Sequence, residues 1–317
     1  MKLAINNIGK NTPWIWACLG SLICWLLTSL LLSKLDFQSL LVNAALASLL
    51  TIVSLGQMFA MTSGDGGIDL SIPYTITLSA FLSFGIIQGS ESNLILGMSV
   101  VAVVGIVIGF LNAISIITFK IPPIIATMAI GFIVNSGVLV YSSSFTSNKT
   151  SAVLTTIANG RLLGIPIIIL FAIALILIIT FVFEKMSYGR AITAVGQNRL
   201  AAFFAGINVN RTIMLAYMIS GLLAAVGGAL IGARIDGAFL EMGQSYMLQS
   251  VGAVVIGGTL VSGGKASTVG TAFGALMLTL MVTLMVISRL PIGVQYIIEG
   301  IILILVLIID KPHTESD

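Results

Sequence analysis

Histidine occurs once in the 317 residues, at His313, and cysteine twice, at Cys18 and Cys24. His313 sits in the polar tail, and the chain has no HExxH motif, no nucleophile elbow and no Cys/His metal cluster from which a soluble active site is built. The two cysteines share one apolar run and fall on different helix faces, so neither a disulfide nor a metal pair between them is expected. No catalytic residue and no metal ligand is assigned. Charge is scarce as well: 8% of residues are charged and 58% hydrophobic, with a mean hydropathy of +1.14. Such a chain has lipid as its main solvent. The net charge of +3 bears only on topology, and nothing points to nucleic acid.

What the chain does have is long uncharged stretches, at 11–33, 37–64, 70–90, 92–119, 121–148, 162–183, 212–233, 242–264 and 266–288, with a last run at about 291–309 interrupted only by Glu299. Each suffices for a helix crossing about 30 Å of hydrocarbon, which takes roughly 20 residues. The short segments of alternating polarity that mark a membrane β-barrel are missing. The expected fold is an all-α polytopic membrane protein, one transmembrane domain over 1–317. About ten spans are expected, at about 14–33, 39–62, 71–90, 94–118, 122–142, 163–183, 212–233, 244–262, 268–288 and 291–309. A 5+5 inverted repeat would accommodate them.

All the prolines (Pro13, Pro73, Pro122, Pro123, Pro166, Pro291, Pro312) fall at or beside span ends, where a missing N–H costs least. The pairs Gly105/Gly109, Gly228/Gly232 and Gly270/Gly274 have the spacing that lets helix backbones approach in lipid. With the N-terminus inside, the inner side receives Lys2, Lys10, Lys120, Lys185, Arg190, Arg199, Arg211, Lys265 and Lys311, the outer side only Lys34, Lys149, Arg161, Arg234 and Arg289. That bias places both termini, and residues 188–211, in the cytoplasm. The longest outer loop, about 143–162, is Ser/Thr-rich and short. The run 14–33 is too long for a cleavable signal, and the sequon at Asn148 is a pattern common by chance.

"SGGKAS" (262–267) resembles a phosphate loop but fails on spacing: Thr259 and Ala266 stand where Gly and Ser or Thr are required. Any ATP must be hydrolysed by another chain. The polar stretch "AVGQNRLAAFFAGINVNR" (194–211) predicts a two-turn helix over Asn198–Ala205, with Asn198 as N-cap and Gly206 as stop. Phe203 and Phe204 supply an apolar side, and Gln197, Arg199 and Asn208 polar ones. An interfacial helix on the inner leaflet and a docking helix that enters a partner's cleft need the same ingredients.

Four segments carry a resemblance. "YGRAITAVGQNRLAAFFAGINVNR" (188–211), "SGDGGIDLS" (63–71), "KIPPIIATMAIGFI" (120–133) and "VGAVVIGGTLVSGGKASTVGTAFGALML" (251–278) resemble, in order, motifs of the permease subunits of ABC importers in the ribose/autoinducer-2/sugar family. The resemblance implies a permease domain in a bacterial inner (cytoplasmic) membrane, with 188–211 as the cytoplasmic coupling segment. It implies Arg190, Gln197, Asn198, Arg199, Ala201, Ala202, Gly206 and Arg211 as contacts for an ABC ATPase, which would use the ATP and Mg; this chain would bind no cofactor. Implied partners are a periplasmic sugar-binding protein and a second permease subunit, a copy or a paralogue. The chain departs from the family at Asp65, which is extra, and at Ile72-Pro73.

Gly64, Gly66 and Gly67 break a helix before Asp69 and Ser71. Two readings stand: a sharp cytoplasmic turn, with Asp69 or Ser71 capping the next helix, or a broken helix end lining the pathway. Glu299 lies near the middle of the last span, where an ionised side chain costs at least ~2.5 kcal/mol. It is either a protonated or hydrogen-bonded structural residue between helices or part of a pathway or permease interface, with Asn112, Asn135 and Gln295 as its candidate polar neighbours. The pathway candidates are thus Gly66, Gly67, Asp69, Ser71, Asn112, Asn135 and Glu299. Few other polar residues fall within spans (Asn43, Gln57, Gln249), which suits a weak, transient cavity and tight binding by a separate receptor. Arg234, Asp236, Glu241 and Arg289 are either solvated loop charges or that receptor's landing surface.

Two function classes remain. One is a permease half of an ATP-driven importer of a sugar or sugar-like solute. The other is an ion-gradient-driven secondary transporter, which would be expected to bury carboxylates near mid-membrane; by sequence only Glu299 qualifies. A membrane-embedded enzyme lacks catalytic groups.

Overall fold

The computed structural model describes residues 14–32, 37–143, 145 and 149–309. Both termini, with Lys2, Lys10, Pro13, Lys34, Asn148, Lys311, Pro312 and His313, lie outside the described residues. In chain order the helices are α1 (Trp14–Leu31), α2 (Phe37–Thr62), α3 (Ile72–Ile87), α4 (Leu94–Ile117, after a 3-10 turn at Glu91–Asn93), α5 (Pro123–Ser142), α6 (Ala152–Asn159), α7 (Ile167–Lys185), α8 (Ser187–Gln197), α9 (Arg199–Phe204), α10 (Val209–Ile235), α11 (Tyr246–Ile256), α12 (Thr268–Ile287) and α13 (Ile292–Ile309). Strands β1 (Arg161–Leu162) and β2 (Ile165–Pro166) form one antiparallel hairpin. Among the described residues, seven helices are long and apolar enough to cross a membrane: α1, α2, α4, α5, α7, α10 and α12. Helices α3 and α11, and the Ile292–Leu305 part of α13, are shorter apolar helices.

Several expected boundaries move, each for a backbone reason. The span expected over 71–90 stops at Ile87, because Gln88 adopts a left-handed φ of 48° and caps onto the Phe84 carbonyl. The one expected over 163–183 begins only at Ile167, since Leu163 (φ 51°) and Gly164 (φ 86°) turn the hairpin. The one expected over 244–262 is helical only from Tyr246 to Ile256; Gly258 at φ 87° ends it. At 11 residues α11 is about 17 Å long, well short of a hydrocarbon core of about 30 Å. The expected outer loop at 143–162 contains α6, whose N-cap Ser151 accepts from the amides of Val153 and Leu154. Pro73, Pro122, Pro123, Pro166 and Pro291 do sit at helix starts.

Helices α2 and α10 form the centre, 67% buried in each case over their most apolar stretch, against 17% for α7. Helix α10 packs on α4, α3 and α2, while α12 packs on α1, α2 and α11. The spaced glycines make this possible. A Cβ on Gly105 would strike the Gly221 carbonyl, and one on Gly274 the Ala253 carbonyl, so these backbones touch directly. Peripheral helices turn large apolar side chains outward, among them Leu30, Ile133, Leu177 and Ile292. So much unpartnered apolar surface matches a hydrocarbon surround.

Candidate functional site

The segment 198–211 is built from its caps. The extended Asn198 accepts from the Ala201 amide at 2.9 Å and starts α9. Gly206 ends it at φ 82°, donating to the Phe203 carbonyl while Ile207 donates to that of Ala202. Asn208 belongs to the next element, since its side chain accepts from the Arg211 amide and caps α10. Helix α9 therefore projects as a knob whose outer face is Leu200, Phe203 and Phe204, each more than 60% exposed; the two Phe rings meet edge to face at 5.8 Å. Arg190, Gln197, Asn198, Ala201, Gly206 and Arg211 are exposed. Ala202 is the exception: it is buried with Ala60, Val195, Ile213 and Tyr217, so it seats the knob and cannot meet a partner. Leu200 was not singled out in the sequence, although its spacing from Phe203 and Phe204 carried the signal.

The knob rests on glycine. A Cβ on Gly64 would press on the Gly196 backbone, one on Gly263 on Gly64, and one on Gly264 on Gln197. Gly264 donates its amide to the Thr62 carbonyl at 3.1 Å, and the Gln197 side chain donates to the Gly264 carbonyl at 3.3 Å. The end of α2, the end of α8 and the turn after α11 thus meet backbone to backbone. Asp65 takes φ 54° and pairs with Arg199 at 2.7 Å. With side-chain exposures of 64% and 33% this pair orients α9 but contributes little stability, about 1 kcal/mol or less. Gly66 (φ 66°) has open space around it, while Gly67 lies against the Ala60 carbonyl.

Behind this junction the chain runs through 68–71 as irregular backbone, and protein satisfies its polar groups. Thr127 on α5 accepts from the Leu70 amide and donates to the Ile68 carbonyl. Gln57 on α2, its amide oriented to suit, donates to the Asp69 carbonyl and accepts from the Asp69 amide at 3.1 Å each. The Asp69 carboxylate is 2% exposed. It accepts from the Ser71 amide (3.0 Å), the Ser71 hydroxyl (2.6 Å), the Asn112 amide (3.3 Å) and the Ser220 hydroxyl (2.7 Å). Asn112 also donates to the Ser71 hydroxyl. Neither expected cap forms: Ser71 makes no side-chain bond to the start of α3 and is spent on Asp69. The carboxylate ties together the break, α4 and α10. Asp69 is also a second buried carboxylate, where the sequence reading allowed only Glu299. Ser220 and Thr127 went unnoticed because serine and threonine in apolar helices usually bond to their own backbone.

Glu299 is buried, and none of its three expected neighbours is near. Asn112 is engaged with Asp69, Gln295 donates to the Leu290 carbonyl, and Asn135 lies elsewhere. The partner is Gln249 on α11, donating at 3.2 Å. The space around the pair is about 10 Å³ and lined by Leu248, Ile256, Leu278, Ile302 and Leu303, so Glu299 pins α13 to α11 in a close-packed seam. Asn135 faces a separate cavity of about 200 Å³ with Pro73, Tyr74, Thr77, Glu241 and Gln244. A larger cavity of about 510 Å³ lies beside the knob, lined by Asp65, Lys120, Arg199 and Asn210 among apolar residues. Arg234 is not a free loop charge: it donates to the Ala158 carbonyl at 3.0 Å at the end of α6, whose start is held by Glu91 on Ser151 and the Ala152 amide.

A family model described as branched-chain amino acid transport system / permease component matches residues 39–307. The chain is 30% identical over 315 residues to the ribose import permease protein RbsC of Bacillus subtilis (strain 168), covering 96% of this chain and 94% of the relative. It is 29% identical to the autoinducer 2 import system permease protein LsrC of Enterobacter sp. (strain 638), covering 87% and 80%. It is 26% identical to the autoinducer 2 import system permease protein LsrD of Photorhabdus temperata, covering 95% and 92%. No solved structure gives a significant match.

Proposed function

The chain belongs to the family of branched-chain amino acid transport system permease components, and on that footing we propose that it is the transmembrane subunit of an ATP-driven ABC importer. Its cargo is a sugar or sugar-like small polar solute, handed over by an extracytoplasmic binding protein and carried across the bacterial inner membrane. The names of its relatives, ribose and autoinducer 2 import permeases, support that solute class. A partner ATPase uses the ATP and Mg, and a second permease subunit, a copy or a paralogue, completes the pathway.

The observation that carries this reading is the knob. An exposed Leu200–Phe203–Phe204 face on a capped six-residue helix is a shape for docking into a cleft. The glycine junction under it transmits displacement without side chains to absorb it. Ten crossings follow if α3 and α11 are completed by the irregular segments before them and α13 spans. Helix lengths support a 5+5 repeat: 18, 26, 16, 24 and 20 residues for α1–α5, then 19, 27, 11, 20 and 18 for α7 and α10–α13. Inverted topology with both termini cytoplasmic would place the knob on the ATPase side.

Reconstitution with and without the ATPase subunit tests the proposal: uptake should require both the ATPase and ATP. The ion-coupled alternative gains one observation, the second buried carboxylate. Both Asp69 oxygens are already taken by protein donors, which suits an anchor better than a cation site. Gradient-driven uptake by this chain alone would establish the alternative and overturn the importer.

A further inference from the structure

We infer that the cavity of about 200 Å³ between the start of α3, the middle of α5 and the turn before α11 is the site at which this subunit holds a neutral, hydroxyl-rich solute during passage. The inference rests on the importer reading and adds the place and the contacting groups. Two interrupted helices meet here. Gly243, in the turn before α11, lies against the Pro73 carbonyl and donates its amide to the Thr77 hydroxyl at 3.3 Å, itself donated to the Pro73 carbonyl. The wall is thereby fixed by backbone, and Thr77 is used up in holding it.

The remaining polar groups have no such employment. Among the described residues, the side chains of Tyr74, Asn135, Glu241 and Gln244 make no hydrogen bond. All four line the cavity. Two amides, each with donors and an acceptor, a carboxylate that accepts from two hydroxyls, and a phenol beside an aromatic face match adjacent hydroxyls on a small ring. No Lys or Arg lines the space, which disfavours phosphate or carboxylate solutes. The volume is below the roughly 300–1,000 Å³ that holds a drug-sized ligand, as a monosaccharide requires. Few contacts, all neutral apart from one exposed carboxylate, make for weak holding and easy release.

The test is uptake of radiolabelled ribose and a panel of other neutral monosaccharides by the assembled importer in proteoliposomes. Wild type is compared with Asn135→Leu and Gln244→Leu, and with Glu241→Gln. Each Leu variant removes one or two hydrogen bonds to the solute and should lower uptake about five- to tenfold. ATP hydrolysis by the assembled complex and its level in the membrane should stay within about twofold. Gln244 is exposed, so its variant folds irrespective of Asn135. Wild-type uptake of a monosaccharide that neither Leu variant reduces overturns the site and leaves the importer standing. Wild-type uptake of none of the panel, with uptake of an amine or an amino acid, overturns the solute class and the site with it.

Discussion

Asp69→Ala removes the acceptor that joins the break after α2 to α4 and α10. Four donors lose this acceptor: the Ser71 amide, the Ser71 hydroxyl, the Asn112 amide and the Ser220 hydroxyl. The two hydroxyls can rotate, Ser220 toward the carbonyl four residues earlier in its own helix. The Ser71 amide cannot, while the Asn112 amide keeps the Ser71 hydroxyl as its acceptor at 2.8 Å. One stranded donor gives a loss of about 1–3 kcal/mol. On the scale of soluble chains of this size, about 2 °C per kcal/mol, that is a fall in melting temperature of roughly 2–6 °C. Asp69→Asn keeps one acceptor oxygen and removes a buried charge, so its fall should be less than half as large. The assay is the thermal melt of the purified chain in mild detergent, with Ser220→Ala as the single-bond control. An Asp69→Ala protein melting within about 1 °C of wild type would refute the role of the network.

Reversing the junction's ion pair with Arg199→Glu should lower ATP-coupled uptake severalfold while changing the melting temperature by no more than about 2 °C, since so exposed a pair contributes about 1 kcal/mol at most; Asp65→Lys in the same chain should restore part of the uptake, and failure to do so would remove the pair from coupling. Phe203→Asp should abolish co-purification of the ATPase subunit with no loss of membrane insertion, and an unchanged pull-down would sink the docking face. Glu299→Gln should melt near wild type, because Gln249 can still donate to its carbonyl; Glu299→Ala should cost about 1–3 kcal/mol for the stranded amide and Glu299→Lys more, and equal melts across the three would show that the pair does not pin α13.

Much of the candidate site was readable residue by residue because its signals are local. Asn198, Gly206 and the break at Gly64–Gly67 announce themselves through backbone preference alone, and each sits where its chemistry puts it. Glu299 was legible as a buried carboxyl group but not as a partner of Gln249, because α11 and α13 meet across 50 residues of chain. The same distance problem hid Ser220, which reaches Asp69 from 151 residues away. The helix of α11 ends at Ile256 although apolar residues continue past Gly257 and Gly258; hydropathy measures solvent preference, and only φ and the surrounding contacts say where a helix stops.

The amino-acid order alone determined that this chain is helical and lives in lipid, and it marked where its helices break, because transfer free energy, proline and glycine geometry and end-capping act within a few residues of chain. Tertiary structure decided that Asp69 binds three elements, that glycine backbones form the bearing under α9, that Ala202 faces inward while Phe203 and Phe204 face out, and that the unpaired amides of Asn135 and Gln244 share one cavity. Those outcomes depend on which helices lie side by side, and in a chain whose spans are nearly all apolar the pattern of hydropathy is the same for many arrangements.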